Sequence, residues 1–564
     1  MPVTDAEADV LIVGGGPVGL TARALLERWG VRTLLVEKRG ELSPFPRARL
    51  VNVRSMEIYR GLGLADGITA AAFAPEYGRI RFRDTLHDRD FATAAMVGVN
   101  APVPESPVTG VVTSQDRLEP GLLAAADGQI RFGAELVGLA EEGEEAGEGG
   151  EAGEGAGSEG SGGSAGGETA GKGESVLATV LDHRSGREVR VRARYVLAAD
   201  GANSSVRQRL GIGTTGPGAL ADFTTVVFDA DLARWCADEP AGVYFTPHGL
   251  FAPLYPEGGW AWFAPTPDDA AHADWAALVS RALGSDSGVP VDVVRVQHWT
   301  MNAFVAERFR HGRTLLAGDA AHAIPIVGGL GMNTGIADVH NLCWKLAGVL
   351  HGWAGPGLLD TYATERQPVA HRTLRQAVTN TQLMLDVQNR RREQLQAGAA
   401  PSERIELPWS QRYFAQLGLV LGVSYESDAV LGDDSAAPVP PGTDADADAD
   451  AGTEYVPTAG PGHRMPHLPL AQGRSTLDAF GEWFTLLTPD PACWEQQNAT
   501  APWPLRIEPL PHEHLDACGL GPHGALLIRP DGHVGARRHD RPAGGTALRH
   551  ALAALTCATS RELS

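Results

Sequence analysis

The sequence predicts an α/β fold in several domains, a Rossmann-like parallel sheet interrupted by an inserted antiparallel one. Three observations predict it. An apolar run, DVLIV at 9–13, turns through GGGPVG into the helix-like stretch TARALLERWG. A second run, RTLLAGDAAH at 313–322, leads into a glycine-rich loop and a long apolar stretch reaching residue 350. Between them, residues 220–310 hold strand-like runs such as FTTVVFDADL, GVYF, GLFAPLY and GWAWFAP, with period-2 stretches and turn signals.

The first element reads strand, glycine turn, helix. Gly14 allows the tight turn, Gly16 lets the backbone approach a pyrophosphate, and Gly19 lets the helix pack closely on the strand. The phosphates then meet unpaired helix amides and the positive end of the helix dipole. The next run, TLLVE, ends at Glu37, 23 positions after Gly14, where an acid hydrogen-bonds a ribose hydroxyl and argues against a ribose phosphate. In a chain with 69 glycines the turn alone is a weak signal. With strand, helix and acid in register it indicates a dinucleotide and leaves open which one.

The second element decides. After Gly318 and Asp319, a helix over 332–350 points its first amides, around Gly331, Met332 and Asn333, at an electron-rich ring edge, and its dipole favours negative charge there. A reduced flavin, whose ring carries an anion, suits that end.

At this point the chain resembles the flavin-dependent aromatic hydroxylases of the p-hydroxybenzoate hydroxylase fold, and most closely the larger hydroxylases of aromatic polyketides of tetracenomycin, anthracycline and angucycline type. The matching pieces are GGGPVGL, SPFPRARLVNVRSMEIYRGLGL at 43–64, SQDRLEP at 114–120, VLAADGANSSVRQRLGI at 196–212, the AGDAAH segment and DTYATERQPVA at 360–370. PGHRMPHLPL, GEWFTLLTP and GALLIRPDGHVGAR further on are similar to the thioredoxin-like C-terminal domain of those enzymes. The resemblance implies a glutathione-reductase type FAD domain from 1–78, 105–215 and 312–395, and a substrate domain from 79–104 and 216–311. It implies a helical connector at 396–427 and a thioredoxin-like domain at 428–564.

Carried over residue by residue, the resemblance assigns cofactor contacts to Gly14, Gly16, Pro17, Gly19, Glu37 and Lys38, with Glu37 on the adenosine ribose. Arg47 becomes a pyrophosphate and flavin neighbour in a loop that Pro44 and Pro46 stiffen. Gln115 faces the cofactor, although Thr113 to Asp116 also fits a capping box. Asp200, with Gly201, is tied to flavin and nicotinamide binding, against the plain alternative of a strand-ending turn. Asp319 binds the ribityl chain, Pro325 lies near the flavin, and Gly331, Met332 and Asn333 hold the pyrimidine edge. His322 reads as a packed loop histidine with no evident acid partner. Two departures stand out. Pro325 is followed by Ile326 and Val327 where most relatives read Pro-Pro-x-Gly. A tyrosine base of some relatives falls at Phe245, leaving Tyr244 one position away, on the other face of a strand, where it reads first as a core or cross-strand aromatic and only second as a base.

The chemistry implied is NADPH- or NADH-driven reduction of FAD, reaction with O2 to a C4a-hydroperoxide, and oxygen transfer to an aromatic polyketide. It needs few catalytic side chains, because the cofactor carries the hard step. No Ser-His-Asp set, metal-spaced cluster or Walker loop competes. A Baeyer-Villiger oxygenase on a polycyclic ketone is the alternative within the same chemistry, a flavin dehydrogenase another. A non-catalytic flavin- or polyketide-binding protein is the alternative of a different class.

Composition agrees. The formal charge is −22, yet residues 141–174 carry ten Glu against one Lys and residues 444–450 four Asp, so more than half of it sits in two low-complexity stretches. These, the insert 141–174 and the acidic linker 433–455, lack apolar residues to bury and are expected as disordered segments. The acidity and the missing basic patch exclude nucleic acid and anionic membrane as partners. No apolar run of about 18 residues spans a bilayer and no leader pattern is present, which places the chain in the cytoplasm. Five scattered cysteines make no CxxC, so the thioredoxin-like domain is expected to be redox-silent. A homodimer is compatible with the resemblance but not specified by the sequence.

Overall fold

The computed structural model describes residues 5–142, 175–284, 288–400, 403–408, 416–432, 454–495, 502–541 and 546–558. Most of the glutamate-rich insert and of the acidic linker therefore lies outside the described residues.

The apolar runs form the centre of a sheet in which strands Thr33–Glu37, Ala6–Val13, Arg187–Ala198 and Thr314–Leu316 lie side by side and parallel. Val13 is paired with Val36 on one side and Ala198 on the other, and Ala198 with Leu316. The carboxyl ends of these strands are thus level. Glu37, the Gly14 turn, the Asp200–Gly201 turn and the Gly318–Asp319 turn all follow them at one edge, the place where open parallel sheets bind ligands. Strands Val176–Asp182 and Ala134–Glu141 extend this sheet antiparallel. The residues that read as a buried run are buried: Val10, Leu11 and Ile12 have no exposure.

A second sheet stands over that edge. Its strands include Thr214–Asp229, Asp292–Ala306, Gly258–Pro265, Gly249–Tyr255, Val243–Thr246 and Arg79–Phe82, antiparallel except where Val243–Thr246 meets Arg79–Phe82. One face is sealed by a core of Tyr244, Phe251, Trp262, Val226 and Phe228 packed against helix Trp275–Leu283. The other looks towards the parallel sheet.

The C-terminal sheet orders Leu505–Pro509, Phe484–Thr488, Ala525–Ile528 and Val534–Arg538, with the first pair parallel and the rest antiparallel. Phe484 docks edge-on against Trp344 and Trp353, so this sheet shares an aromatic core with helix Gly331–His351 and the chain just after it. Between the two regions the described residues of the expected helical connector are mostly irregular. Beyond Gln396, where helix Asp360–Gln396 ends, only Leu417–Leu421 is helical among the connector's described residues, and that turn packs on Val53 and Val103. The expected capping box at Thr113 also does not form. The N-cap is Ser114, its hydroxyl turned to Asp116.

Candidate active site

A cavity of about 690 Å³ runs from the glycine turn to the underside of the second sheet. Gly14, Gly16, Pro17, Glu37, Lys38, Arg47, Gln115, Asp200, Asp319, Gly331 and Met332 all line it, so residues spread over more than 300 positions of sequence share one wall.

The glycine turn has the geometry its spacing requires. Gly14 sits at φ +110°, and a Cβ there would stand 2.3 Å from the Ala199 carbonyl oxygen. A Cβ on Gly19 would stand 2.0 Å from the Gly14 oxygen, so helix Pro17–Arg28 can leave the strand only because that side chain is missing. Gly16 faces open space, with nothing within 4 Å of where a Cβ would be. Glu37 takes the Gly15 N–H at 2.7 Å and the Arg39 N–H at 2.9 Å, which fixes its carboxylate beside the turn with lone pairs to spare.

The second motif is held from behind. Asp319 opens into the cavity and makes no hydrogen bond or ion pair among the described residues, while the surrounding protein desolvates it and pushes its carboxyl above the usual range. Arg47 is likewise without a partner among the described residues, and desolvation lowers its guanidinium. Helix Gly331–His351 begins next to Asp319 with no side-chain cap. Thr334 N–H is the first to reach a carbonyl, Leu330 O at 2.9 Å, so the amides of Gly331, Met332 and Asn333 are the unpaired ones of its first turn. A free carboxylate, a free guanidinium, an open glycine and a bare helix N-terminus along one cavity fit a ribityl chain, a pyrophosphate and an anionic ring edge. The residues present fit FAD.

Asn333 supports this wall rather than lining it. Its side chain donates to Leu50 O (2.9 Å) and Gly329 O (2.7 Å) and accepts from Asn52 N–H (2.9 Å). Asp200 accepts from Ser204 Oγ at 2.5 Å and Val206 N–H at 3.2 Å, so it braces the first turn of helix Ser205–Arg209, whose N-cap is Ser204, and faces the cavity at once. Gln115 donates to Glu119 and accepts from Ala48 N–H, which holds the Arg47 loop in place.

Two expectations are corrected, and Tyr244 lies where its core reading puts it. Pro325 is buried outside the cavity wall, and Ile324, Ile326 and Val327 line it instead. His322 does have an acid partner: its Nε2 meets Asp338 Oδ2 at 2.6 Å, both side chains fully buried. Tyr244 points away from the cavity into the core, where its hydroxyl accepts the Ala241 N–H at 3.1 Å and burial pushes it far above the usual phenol range. The pleat explains the last. Gln297, Thr225, Phe263, Leu250 and Phe245 are successive register partners across five strands, and this row faces the cavity. Moving one residue from Phe245 to Tyr244 crosses the sheet.

Sequence reasoning missed the groups behind the wall. Arg207 donates to Ala320 O (2.9 Å) and Ala202 O (2.8 Å), tying the two aspartate turns together. Asp338 takes Gly318 N–H (3.1 Å), His322 and Arg366 Nε (2.8 Å). A signal was available: Asp338, Asn341 and Lys345 recur at helical spacing on an otherwise apolar helix, which marks a buried polar stripe.

Comparison with known proteins agrees with this geometry. The FAD binding domain family matches residues 7–153 and 169–377, and the family of aromatic-ring hydroxylase C-terminal domains matches 458–558. Aklavinone 12-hydroxylase RdmE of Streptomyces purpurascens is 33% identical over 96% of this chain and 97% of its own. Tetracenomycin A2 monooxygenase-dioxygenase of Streptomyces glaucescens is 32% identical over 98% of both. Among solved structures, the flavin-dependent monooxygenase PieE in complex with FAD and substrate superposes with a TM-score of 0.83 at 30% identity, covering 99% of this chain and all of the other. Aklavinone-11 hydroxylase with FAD and aklavinone gives 0.77 at 31%, covering 98% and 100%.

Proposed function

Because the chain belongs to the FAD-dependent aromatic-ring hydroxylases, a family of monooxygenases, we propose that it hydroxylates a flat, polycyclic aromatic polyketide. The observation that carries this is the continuity of the cavity: its far end passes without a break from the Asp319 and Gly331 wall to the Phe263, Leu250 and Phe245 row. Apolar Ile80, Met96, Val112 and Val243 complete that end, a slot suited to a ring system rather than a charged metabolite. The relatives that act on aklavinone and tetracenomycin support the substrate class.

In this reading Glu37 takes the adenosine ribose, Arg47 and the Gly16 and Val18 amides the pyrophosphate, Asp319 the ribityl chain, and the Gly331–Asn333 amides the ring edge. When bound and reduced by NADPH or NADH, FAD supplies activation of O2 and delivery of one oxygen atom. The chain's own work is positioning and drying. Asp319 holds the ribityl chain and the helix amides the ring edge, while Phe245, Leu250 and Phe263 lay the substrate flat and exclude water. No carboxylate or tyrosine stands in the sheet end of the wall among the described residues; its polar side chains include those of His298, Gln297, Thr225 and Arg49.

The test is NADPH oxidation under 18O2 with a panel of hydroxylated polycyclic quinones and phenols, products being read by mass spectrometry. Stimulated oxidation with one labelled atom on a ring carbon is expected. A labelled ester or lactone indicates Baeyer-Villiger oxidation instead, and peroxide as the sole product across the panel overturns the substrate class.

A further inference from the structure

Where the C-terminal sheet meets the two long helices, four full charges are buried with at most 1% exposure. Glu365 on helix Asp360–Gln396 receives Lys345 Nζ at 2.7 Å and both terminal nitrogens of Arg529 at 2.6 and 2.8 Å. Arg529 also reaches Asp531 at 2.5 Å, and Asn341 bridges the two carboxylates. A second buried fork joins Arg464 to Glu57 on helix Val53–Gly61, with Nε at 2.9 Å from Oε2. In both, the arginine belongs to the C-terminal region and the carboxylate to a helix of the FAD side.

Those helices hold the cofactor wall. The Glu57 helix is capped by Asn52, whose N–H fixes Asn333. Arg366, next to Glu365, donates to Asp338, to Thr334 O at 3.2 Å and to the Tyr425 hydroxyl at 3.1 Å. Asp338 in turn anchors the Gly318–Asp319 turn. Tyr425 closes the circuit, lying 5.3 Å from the Arg529 guanidinium. Buried ion pairs add little net stability over apolar packing of the same shape, but they admit few geometries.

We propose that Arg529 and Arg464 are positioning residues for the cofactor: through Glu365 and Glu57 the C-terminal domain sets the geometry of the Asp319 turn and of Asn333. This rests on the FAD placement above.

The experiment uses the full-length chain stripped of flavin and titrated with FAD. Fluorescence quenching gives the affinity and visible circular dichroism the environment of the ring, each variant held about 15 °C below its own unfolding midpoint so that folded protein is compared. Arg529→Met is expected to weaken FAD about tenfold and to alter the dichroism, with Arg529→Lys recovering part. Tyr425→Phe, which removes one hydroxyl and spares the packing, is expected to weaken it by about twofold to fivefold and serves alone if Arg529→Met does not fold. Arg506→Ala removes a cation stacked over Trp483 on the edge strand of the same sheet and is expected to change neither reading, whatever it does to the midpoint. Parental affinity and dichroism in Tyr425→Phe, or equal losses in Arg506→Ala, overturn the proposal. Asp319→Asn separates the two levels: if it too binds FAD normally, the placement of FAD is at fault, whereas its loss beside normal clamp variants rejects the clamp alone.

Discussion

The cavity and the C-terminal clamp use the same side chains in opposite ways. In the clamp, Glu365, Lys345, Arg529 and Asp531 are almost completely covered and every charge is answered within the protein. In the cavity, Asp319 and Arg47 are exposed to the open space, shifted by the protein crowded around them, and hydrogen-bonded by nothing among the described residues. Desolvating a charge without a partner is costly, and a fold retains that cost where a ligand supplies the partner. Unspent hydrogen-bonding capacity facing a cavity therefore identifies the site better than the number of charged residues near it.

The contrast breaks most visibly if charge is removed from each region in turn. Glu365→Ala leaves Lys345 and Arg529 buried with one carboxylate fewer, and a loss of about 3–5 kcal/mol in unfolding free energy is expected by denaturant titration of the flavin-free protein. A smaller, pH-driven version of the same loss is expected at His533. Burial pushes its imidazole down to about 4, against the adjacent Asp531. The unfolded chain binds the proton first, so this contribution is present above the ordinary histidine value near 6.5 and is lost as the pH falls towards 4. It amounts to at most about 3 kcal/mol. The unfolding midpoint should fall across that window and the slope should flatten in His533→Gln; an unchanged slope would mean that His533 does not carry this loss.

The same substitution logic inverts in the cavity. Asp319→Asn is expected to leave the stability of the flavin-free protein unchanged or slightly raised, because no protein partner is lost and a desolvated carboxylate disappears. Its cost falls on FAD instead, about 2 kcal/mol of affinity measured by fluorescence titration. A variant that unfolds more easily but binds FAD normally would make Asp319 a structural group like Glu365.

What could be read in the sequence follows the same division. The Gly14 turn, Glu37 and the Gly318–Asp319 turn were legible because each sits at a fixed offset from an apolar strand, and parallel pairing then levels those strand ends. The convergence of Arg47, Gln115 and Asp200 on one wall came from the resemblance, since their loops carry no periodicity. The groups behind the wall were not legible: Arg207, Asp338 and Arg366 act through partners up to 113 residues away, and nothing local to them announces those partners. The described part of 396–427 departs from the expected helix for a related reason, its Leu417–Leu421 turn packing on distant side chains.

The finest test of the division is a single step along one strand. Phe245 belongs to the cavity row and Tyr244 to the sealed core, although their Cα atoms are neighbours. Tyr244→Phe removes the acceptor of the Ala241 N–H and is expected to cost about 1 kcal/mol of stability while leaving the pH profile of turnover where it was. Phe245→Ala, which opens the slot, is expected to raise KM for a polycyclic substrate and to divert NADPH oxidation towards peroxide, because a loosely held ring no longer excludes water. Should Tyr244→Phe instead shift or abolish the pH profile at unchanged stability, the tyrosine would have to reach the cavity in the working enzyme. The strand would then be read in the opposite register, with Phe245 in the core.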